Sequence, residues 1–168
     1  MKVPKRIQPL VDDGLIDEVI SQLMSGKEAT VYMVRCGDDV RCAKVYKEAI
    51  KRSFKKAAQY QEGRNAEVDA LYKLAEAGVR VPQPFGCFDG VLLMELVTDD
   101  AGDVAPRLND VVMPAEQALE DHTLVMHYVK LMLCAGIIHG DLSEFNVLVD
   151  DYGPVIIDLP QAVDASAN

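Results

Sequence analysis

The chain has 168 residues, 49% of them hydrophobic and 26% charged, with a formal net charge of −10. That length suits one domain or two small lobes around a cleft, and the acidic balance argues against broad, sequence-independent nucleic-acid binding. No apolar run approaches the ~20 residues that span a bilayer, and the basic start Met1-Lys2-Val3-Pro4-Lys5-Arg6 lacks the apolar stretch of a secretory leader.

In chain order, apolar residues at Leu10, Leu15, Ile16, Val19, Ile20 and Leu23 predict an amphipathic helix over 10–23. Two strands follow, Ala29 to Cys36 and Val40 to Tyr46, joined by Gly37-Asp38-Asp39. Lys44, Lys47, Lys51, Arg52, Lys55, Lys56 and Arg64 cluster between residues 44 and 64; most of them are read as a solvated helix face, with a partner surface as the lesser reading. A helix from about Asn65 to Ala77 stops at Gly78, a C′ glycine. Val81-Pro82-Gln83-Pro84 is extended. Phe85 to Phe88 and Val91 to Val97 then read as a hairpin around Asp89-Gly90.

A polar linker, Thr98 to Asp110, leads to a helix from near Pro114, with Leu119, Met126, Val129 and Leu133 on its period up to Gly136. The loop His139 to Asn146 feeds Val147-Leu148-Val149, a turn over Asp150 to Pro154, and the apolar strand Val155-Ile156-Ile157. Strands dominate the first half, and a helix plus hairpin the second. The fold class is α+β, two-lobed with a cleft. Cys36, Cys42, Cys87 and Cys134 form no C-x-x-C pair and are expected to be reduced, mostly buried thiols of a cytoplasmic protein.

The strongest chemical signal is His139-Gly140-Asp141-Leu142-Ser143-Glu144-Phe145-Asn146, with Asp158 ending an apolar strand one hairpin later. Phosphoryl transfer needs a carboxylate to orient and deprotonate the attacking group, and two hard oxygen ligands for Mg²⁺. An Asp, an Asn five residues on and a strand-end Asp supply all three. The same side chains also serve as ordinary turn residues and a strand cap, but the placement of Asp158 makes that reading the weaker one.

Lys44 lies inside the second strand, where an unpaired ammonium is costly, with Cys42 on the same face. Glu67, on the apolar stripe of the central helix with Leu71 and Leu74, is its expected partner, and Lys44 would hold the α and β phosphates. Glu62 and Glu76 compete for that pairing, and a lysine stem also snorkels to water readily. Ser25-Gly26-Lys27-Glu28-Ala29 opens the first strand as a turn whose N–H groups suit phosphates. With one glycine it is a weak phosphate loop, and it is not a Walker-type site. His122 and His127, five apart on a helix, are surface or packing residues rather than a metal pair.

Taken together, Ser25-Gly26-Lys27-Glu28-Ala29 with Val31-Tyr32, the 139–146 loop, and Ile157-Asp158-Leu159-Pro160-Gln161-Ala162-Val163-Asp164 resemble the RIO family of atypical serine/threonine protein kinases. The Leu-Pro after Asp158 looks like its bacterial branch. The resemblance implies a trimmed bilobal kinase-like fold over 1–168. The N-lobe would be 1–97, an antiparallel sheet plus central helix. The partial C-lobe would be 98–168, with a catalytic loop at 139–146 and a metal-binding segment at 155–164. It implies Mg-ATP, with Mn²⁺ as an alternative ion. Asp141 would be catalytic, Asn146 and Asp158 metal ligands, and Lys44 with Glu67 the nucleotide clamp. Met94-Glu95-Leu96-Val97 would be the hinge, with Met94 as gatekeeper and the Glu95 carbonyl and Val97 N–H facing adenine.

Compared with ordinary protein kinases, Gly140 replaces an arginine, Ser143 a lysine, and Pro160 the glycine of D-F-G, so a constitutive geometry is expected. RIO relatives usually carry a long segment ahead of the central helix, where Arg64 meets Asn65 directly here, and helices beyond the position of Asn168. The implied activity is phosphorylation of protein Ser/Thr, including autophosphorylation, or an ATPase switch in which Asp158 takes the phosphate. Family members outside bacteria act in small-ribosomal-subunit maturation, which suggests a related partner beside an unknown protein substrate. Aminoglycoside and choline kinases share H-G-D-x-x-x-x-N and a later Asp, but the 25–29 loop and Gln161-Ala162-Val163-Asp164 weigh against that class. A nucleotide-binding scaffold without catalysis is the third reading, and it has no need of Asp141 as a base.

Overall fold

The computed structural model describes residues 1–47 and 66–165. Lys51, Arg52, Lys55, Lys56, Glu62, Arg64 and Asn65 lie outside the described residues. The rest fall into two compact units, residues 1–47 with 84–96, and residues 66–83 with 97–165.

The first unit is a five-stranded antiparallel sheet in the order β1-β2-β3-β5-β4. Its strands are β1 (Glu18–Ser25), β2 (Ala29–Cys36), β3 (Asp39–Tyr46), β4 (Pro84–Phe88) and β5 (Val91–Glu95). Two-residue loops set the register of both predicted hairpins. Gly37-Asp38 closes β2 on β3, with Cys36 opposite Asp39. Asp89 and Gly90, at φ 49° and 78°, close β4 on β5 in the doubly left-handed turn that matches strand twist. The core of this unit is one face of the sheet, Val34, Ala43, Val45, Val91 and Leu93, packed by Ile7, Leu10, Ile16 and Val19.

The predicted helix over 10–23 is not present. The segment is a single helical turn, α1 (Gln8–Asp12), followed by β1. The chain leaves α1 through Gly14 at φ 77°, where Leu15 and Ile16 both donate to the Leu10 carbonyl. The helical spacing has a definite origin. Pairing runs Val19 to Val34, Ser21 to Met33, Gln22 to Tyr32 and Met24 to Val31. Ile20 and Leu23 are therefore extra residues in the strand, and two bulges turn a period of two into apparent steps of three and four.

The second unit begins with α2 (66–76), which ends in a Schellman cap. Gly78 at φ 87° donates to Ala75, Val79 donates to Leu74 (3.0 Å), and Leu74 and Val79 are both buried. The long helix α3 (Ala115–Cys134) follows Pro114 and ends before Gly136. Its buried residues are Asp121, Tyr128 and Met132, whereas Leu119, Met126 and Leu133 of the predicted stripe are exposed. The two sets lie about 140° apart around the helix, so α3 carries two apolar stripes that hydropathy alone does not rank.

β6 (Ile137–Ile138) pairs with β9 (Val163–Asp164), and β7 (Val147–Asp150) with β8 (Gly153–Ile156). The β7–β8 turn is tighter than predicted, because Tyr152 N–H bonds to the Asp150 carboxylate. Arg80 clamps that carboxylate with both guanidinium arms and also reaches the Gly153 carbonyl. These bonds hold the Asp150 carboxyl below the usual carboxylate range, against the opposing effect of burial. Val97, Ala105 and Val155 cluster behind the hairpin. All four cysteines are free, but only Cys42 is buried. Cys87 and Cys134 are exposed, one on the edge strand β4 and one at the end of α3, which corrects the expectation of mostly buried thiols. Burial pushes the Cys42 thiol up to about 12. No helix among the described residues is long and apolar enough to cross a membrane.

Candidate active site

In the second unit, a short 3-10 turn (Glu144–Asn146) connects the 139–146 loop to β7. Ser143 starts it by accepting the Phe145 N–H on its hydroxyl (3.3 Å) and the Asn146 N–H on its carbonyl (2.9 Å). This curl brings Asn146 back over Asp141. The Asn146 amide nitrogen donates to the Asp141 carbonyl (2.8 Å) and to its carboxylate (3.2 Å). Both acceptors require the NH₂ end of the amide, so the Asn146 Oδ1 is the end left to accept.

Asp158 follows β8 with a left-handed backbone, φ 57°, a conformation that Asp tolerates better than most residues. Its neighbours fix it. Ile157 donates to the Asn146 carbonyl (3.0 Å) and accepts from the His139 ring (2.8 Å). Leu159, fully buried, donates to the Glu67 carboxylate (2.8 Å). Asp141, Asn146, Glu67 and the backbone on either side of Asp158 are thus tied together within one unit.

Two contributors were not assigned from sequence. His139 is 4% exposed, and its Nδ1 accepts the Asp141 N–H (3.1 Å), so Nε2 carries the proton and donates to Ile157. A histidine in an apolar run, two residues before Asp141, was the available signal: buried, it must satisfy both ring nitrogens. Gly140 has φ 84°, and a Cβ there would lie 2.3 Å from the Gln161 carbonyl oxygen. The missing arginine is therefore a packing requirement, since the loop backbone rests directly on the segment after Asp158. An apolar cavity of about 360 Å³ opens beside Asp141, lined by Val129, Met132, Leu133, Ile137 and Leu142.

The first unit carries Ser25, Gly26, Lys27, Lys44, Met94 and Glu95, while Val97 belongs to the second. Lys44 stands opposite Val31 and Leu92, and Cys42 opposite Met94, so these side chains share a sheet face. Lys44 is buried there, its ammonium 5.6 Å from the Tyr46 ring centre. Glu95 ends β5 opposite Arg41, whose guanidinium stacks on Phe85 at 3.8 Å. The 25–29 turn is exposed up to Glu28, and the Gly26 N–H is already bonded to Ala29 (2.9 Å). His122 and His127 are exposed on α3.

Comparison with known proteins shows the family of the chain. The profile of the RIO domain matches residues 44–168. The chain belongs to the RIO family. It is similar to the RIO-type serine/threonine-protein kinase Rio1 of Haloferax volcanii, 36% identical over 94% of this chain and 59% of that protein. It is also similar to human serine/threonine-protein kinase RIO1, 30% identical over 90% of this chain and 30% of that one. The fold matches the crystal structure of the Rio2 kinase–ADP/Mg²⁺–phosphoaspartate complex from Chaetomium thermophilum. The TM-score is 0.73 at 21% identity, covering 99% of this chain and 59% of that one. The expected kinase-like α+β fold is therefore the fold of this RIO domain, which spans about 59% of the length of its archaeal relative.

Proposed function

We propose that this protein transfers the γ-phosphoryl group of ATP to serine or threonine hydroxyls of proteins, itself included. The observation that carries this reading is the bonding of Asn146 to Asp141, beside an Asp158 held on both sides by backbone hydrogen bonds. Asp141 orients the acceptor hydroxyl and takes its proton as the new O–P bond forms and the bond to the ADP oxygen breaks. Asn146, through its outward Oδ1, and Asp158 offer hard oxygens that fit Mg²⁺, which would supply charge neutralisation at the phosphates; Mn²⁺ has the same ligand preference. Lys44 and Glu67 form the clamp on the α and β phosphates, and Ser25, Gly26 and Lys27 cover the triphosphate. Met94, Glu95 and Val97 form the hinge for adenine, between an N-lobe of 1–97 and a C-lobe of 98–168.

A second outcome of the same site is supported by the phosphoaspartate in the Rio2 complex. Here Asp158 itself takes the phosphoryl group and water later removes it, an ATPase switch. The free thiols support a cytoplasmic location for the protein, and a ribosomal-subunit-related partner beside an unknown protein substrate rests on family resemblance alone.

Mass spectrometry of the products after incubation with Mg-ATP, for wild type and Asp141→Asn, tests the reading. Acid-stable phosphate on Ser or Thr that disappears in Asp141→Asn supports the kinase. Hydroxylamine-labile phosphate on Asp158 supports the switch. Equal ATP turnover by wild type and variant would remove the catalytic claim.

A further inference from the structure

The turn at residues 25–29 carries a single glycine and is exposed up to Glu28, too lightly built to hold one shape over a triphosphate by itself. Within it the Gly26 N–H donates to Ala29 (2.9 Å), and the Ser25 and Thr30 hydroxyls bond to each other (3.2 Å). One residue just past β3 ties both limbs of the turn to the sheet. The Lys47 N–H donates to the Glu28 carbonyl (2.8 Å), extending the β2–β3 ladder beyond its Ala29–Tyr46 pair. The Lys47 ammonium donates to the Gly26 carbonyl on the other limb. Main chain and side chain of Lys47 therefore grip the turn at two points, two residues apart.

We infer that Lys47 is a positioning residue for nucleotide. Resting on the phosphotransfer reading above, it latches the 25–29 turn in the shape that receives the phosphates. Its charge-assisted bond holds the Gly26 carbonyl on the ammonium, so that carbonyl dipole does not turn toward the phosphates. Of these two bonds, a substitution removes only the side-chain one, so the turn stays attached but loses its set. In sequence the residue is one member of a basic run; its place in the fold is what gives it this role.

The test compares wild type, Lys47→Met, Lys47→Arg and Lys44→Met in the whole protein. KM and kcat are measured for ATP, and the inhibition constant for adenosine, which has no phosphates. Lys47→Met is expected to raise KM for ATP about three- to tenfold, the size of one lost hydrogen bond. Its kcat should stay within about twofold, because the reacting groups are untouched. Adenosine inhibition should be unchanged, and Lys47→Arg should restore most of the ATP affinity. An unaltered KM for ATP would overturn the assignment. So would equal weakening of ATP and adenosine, which marks general loosening of the sheet. Lys44→Met separates the two levels. If it fails while Lys47→Met matches wild type, the latch alone is wrong. If Lys44→Met also matches wild type, the phosphotransfer reading falls and the latch with it.

Discussion

Replacing Gly140 by alanine tests whether the 139–146 loop is seated on the segment after Asp158. Two costs add. The backbone sits at φ 84°, where a side chain costs about 1–2 kcal/mol. The new Cβ would also stand 2.3 Å from the Gln161 carbonyl oxygen and 3.1 Å from its carbonyl carbon. Those are main-chain atoms, so no flexible side chain can swing aside. Overpacking of this kind costs about 1–3 kcal/mol more, for a total of about 2–5 kcal/mol. Gly78 is the matched control, since its φ is 87° but nothing lies within 4 Å of a Cβ built there. Gly78→Ala should cost only the backbone part, about 1–2 kcal/mol. In thermal unfolding, where 1 kcal/mol shifts Tm by about 2–4 °C at this size, Gly140→Ala should fall well below Gly78→Ala. Activity should separate them further, because relief of the clash moves Gln161 and with it the left-handed backbone at Asp158. Equal Tm losses in the two variants would refute the seating of Gly140 on Gln161.

Three further outcomes are expected. Glu67→Gln keeps an oxygen for the Leu159 N–H while removing the charge, so it should raise KM for ATP with little loss of stability. Glu67→Leu also strands a buried N–H, at about 1–3 kcal/mol in denaturant unfolding, and equal stability of the two would show that the Leu159 bond is idle. His139→Ala leaves the Asp141 N–H and the Ile157 carbonyl without the ring and should lower kcat at least about tenfold with KM for ATP nearly unchanged; a wild-type kcat would contradict the tether. Asp150→Asn should cost about 1.5–3 kcal/mol at neutral pH through weaker charged bonds to Arg80. Because the Asp150 carboxyl is held low by Arg80, that stabilisation is present above the unfolded carboxylate value of about 3.9 and lost as pH falls through the folded one. The gap between wild type and variant should therefore narrow in acid unfolding, and a pH-independent gap would rule out the charged pair as its source.

What could be read without the fold was local. The Gly37-Asp38 and Asp89-Gly90 turns and the Gly78 stop follow from backbone chemistry within a few residues, and each lies where its signal put it; the strand ahead of Asp158 is also present, but runs from Gly153 to Ile156 rather than from Val155 to Ile157. The failures share one cause, because each depended on what a face met in space. β1 passed for a helix because its bulges at Ile20 and Leu23 are set by pairing with β2, which no window over 18–25 contains. On α3 the choice between the Tyr128–Met132 face and the stripe of Leu119, Met126 and Leu133 depends on partners elsewhere in the chain, and the stripe is the exposed one. The site divided in the same way. Asp141, Asn146 and Asp158 stood out by residue type and spacing. Gly140 reads as a lost arginine in sequence, whereas in the fold the Gln161 carbonyl occupies the space of its side chain.

The five-residue spacing from Asp141 to Asn146 has a mechanical explanation. After Asp141 the chain needs enough residues to turn back, and the Ser143-initiated curl supplies the reversal. That places the Asn146 amide on the Asp141 carbonyl, while the Asn146 main-chain carbonyl receives Ile157 from just past β8. One residue thus binds the loop with its side chain and the following strand with its backbone. An added residue in the loop would shift the amide off Asp141, and a residue lost from the β7–β8 turn would shift Ile157 off Asn146. His139 ties the same two segments a second time, so neither can move without breaking a buried hydrogen bond. Residue spacing and strand register are therefore one constraint, and a loop with the right residues in the wrong register would not bring these groups together.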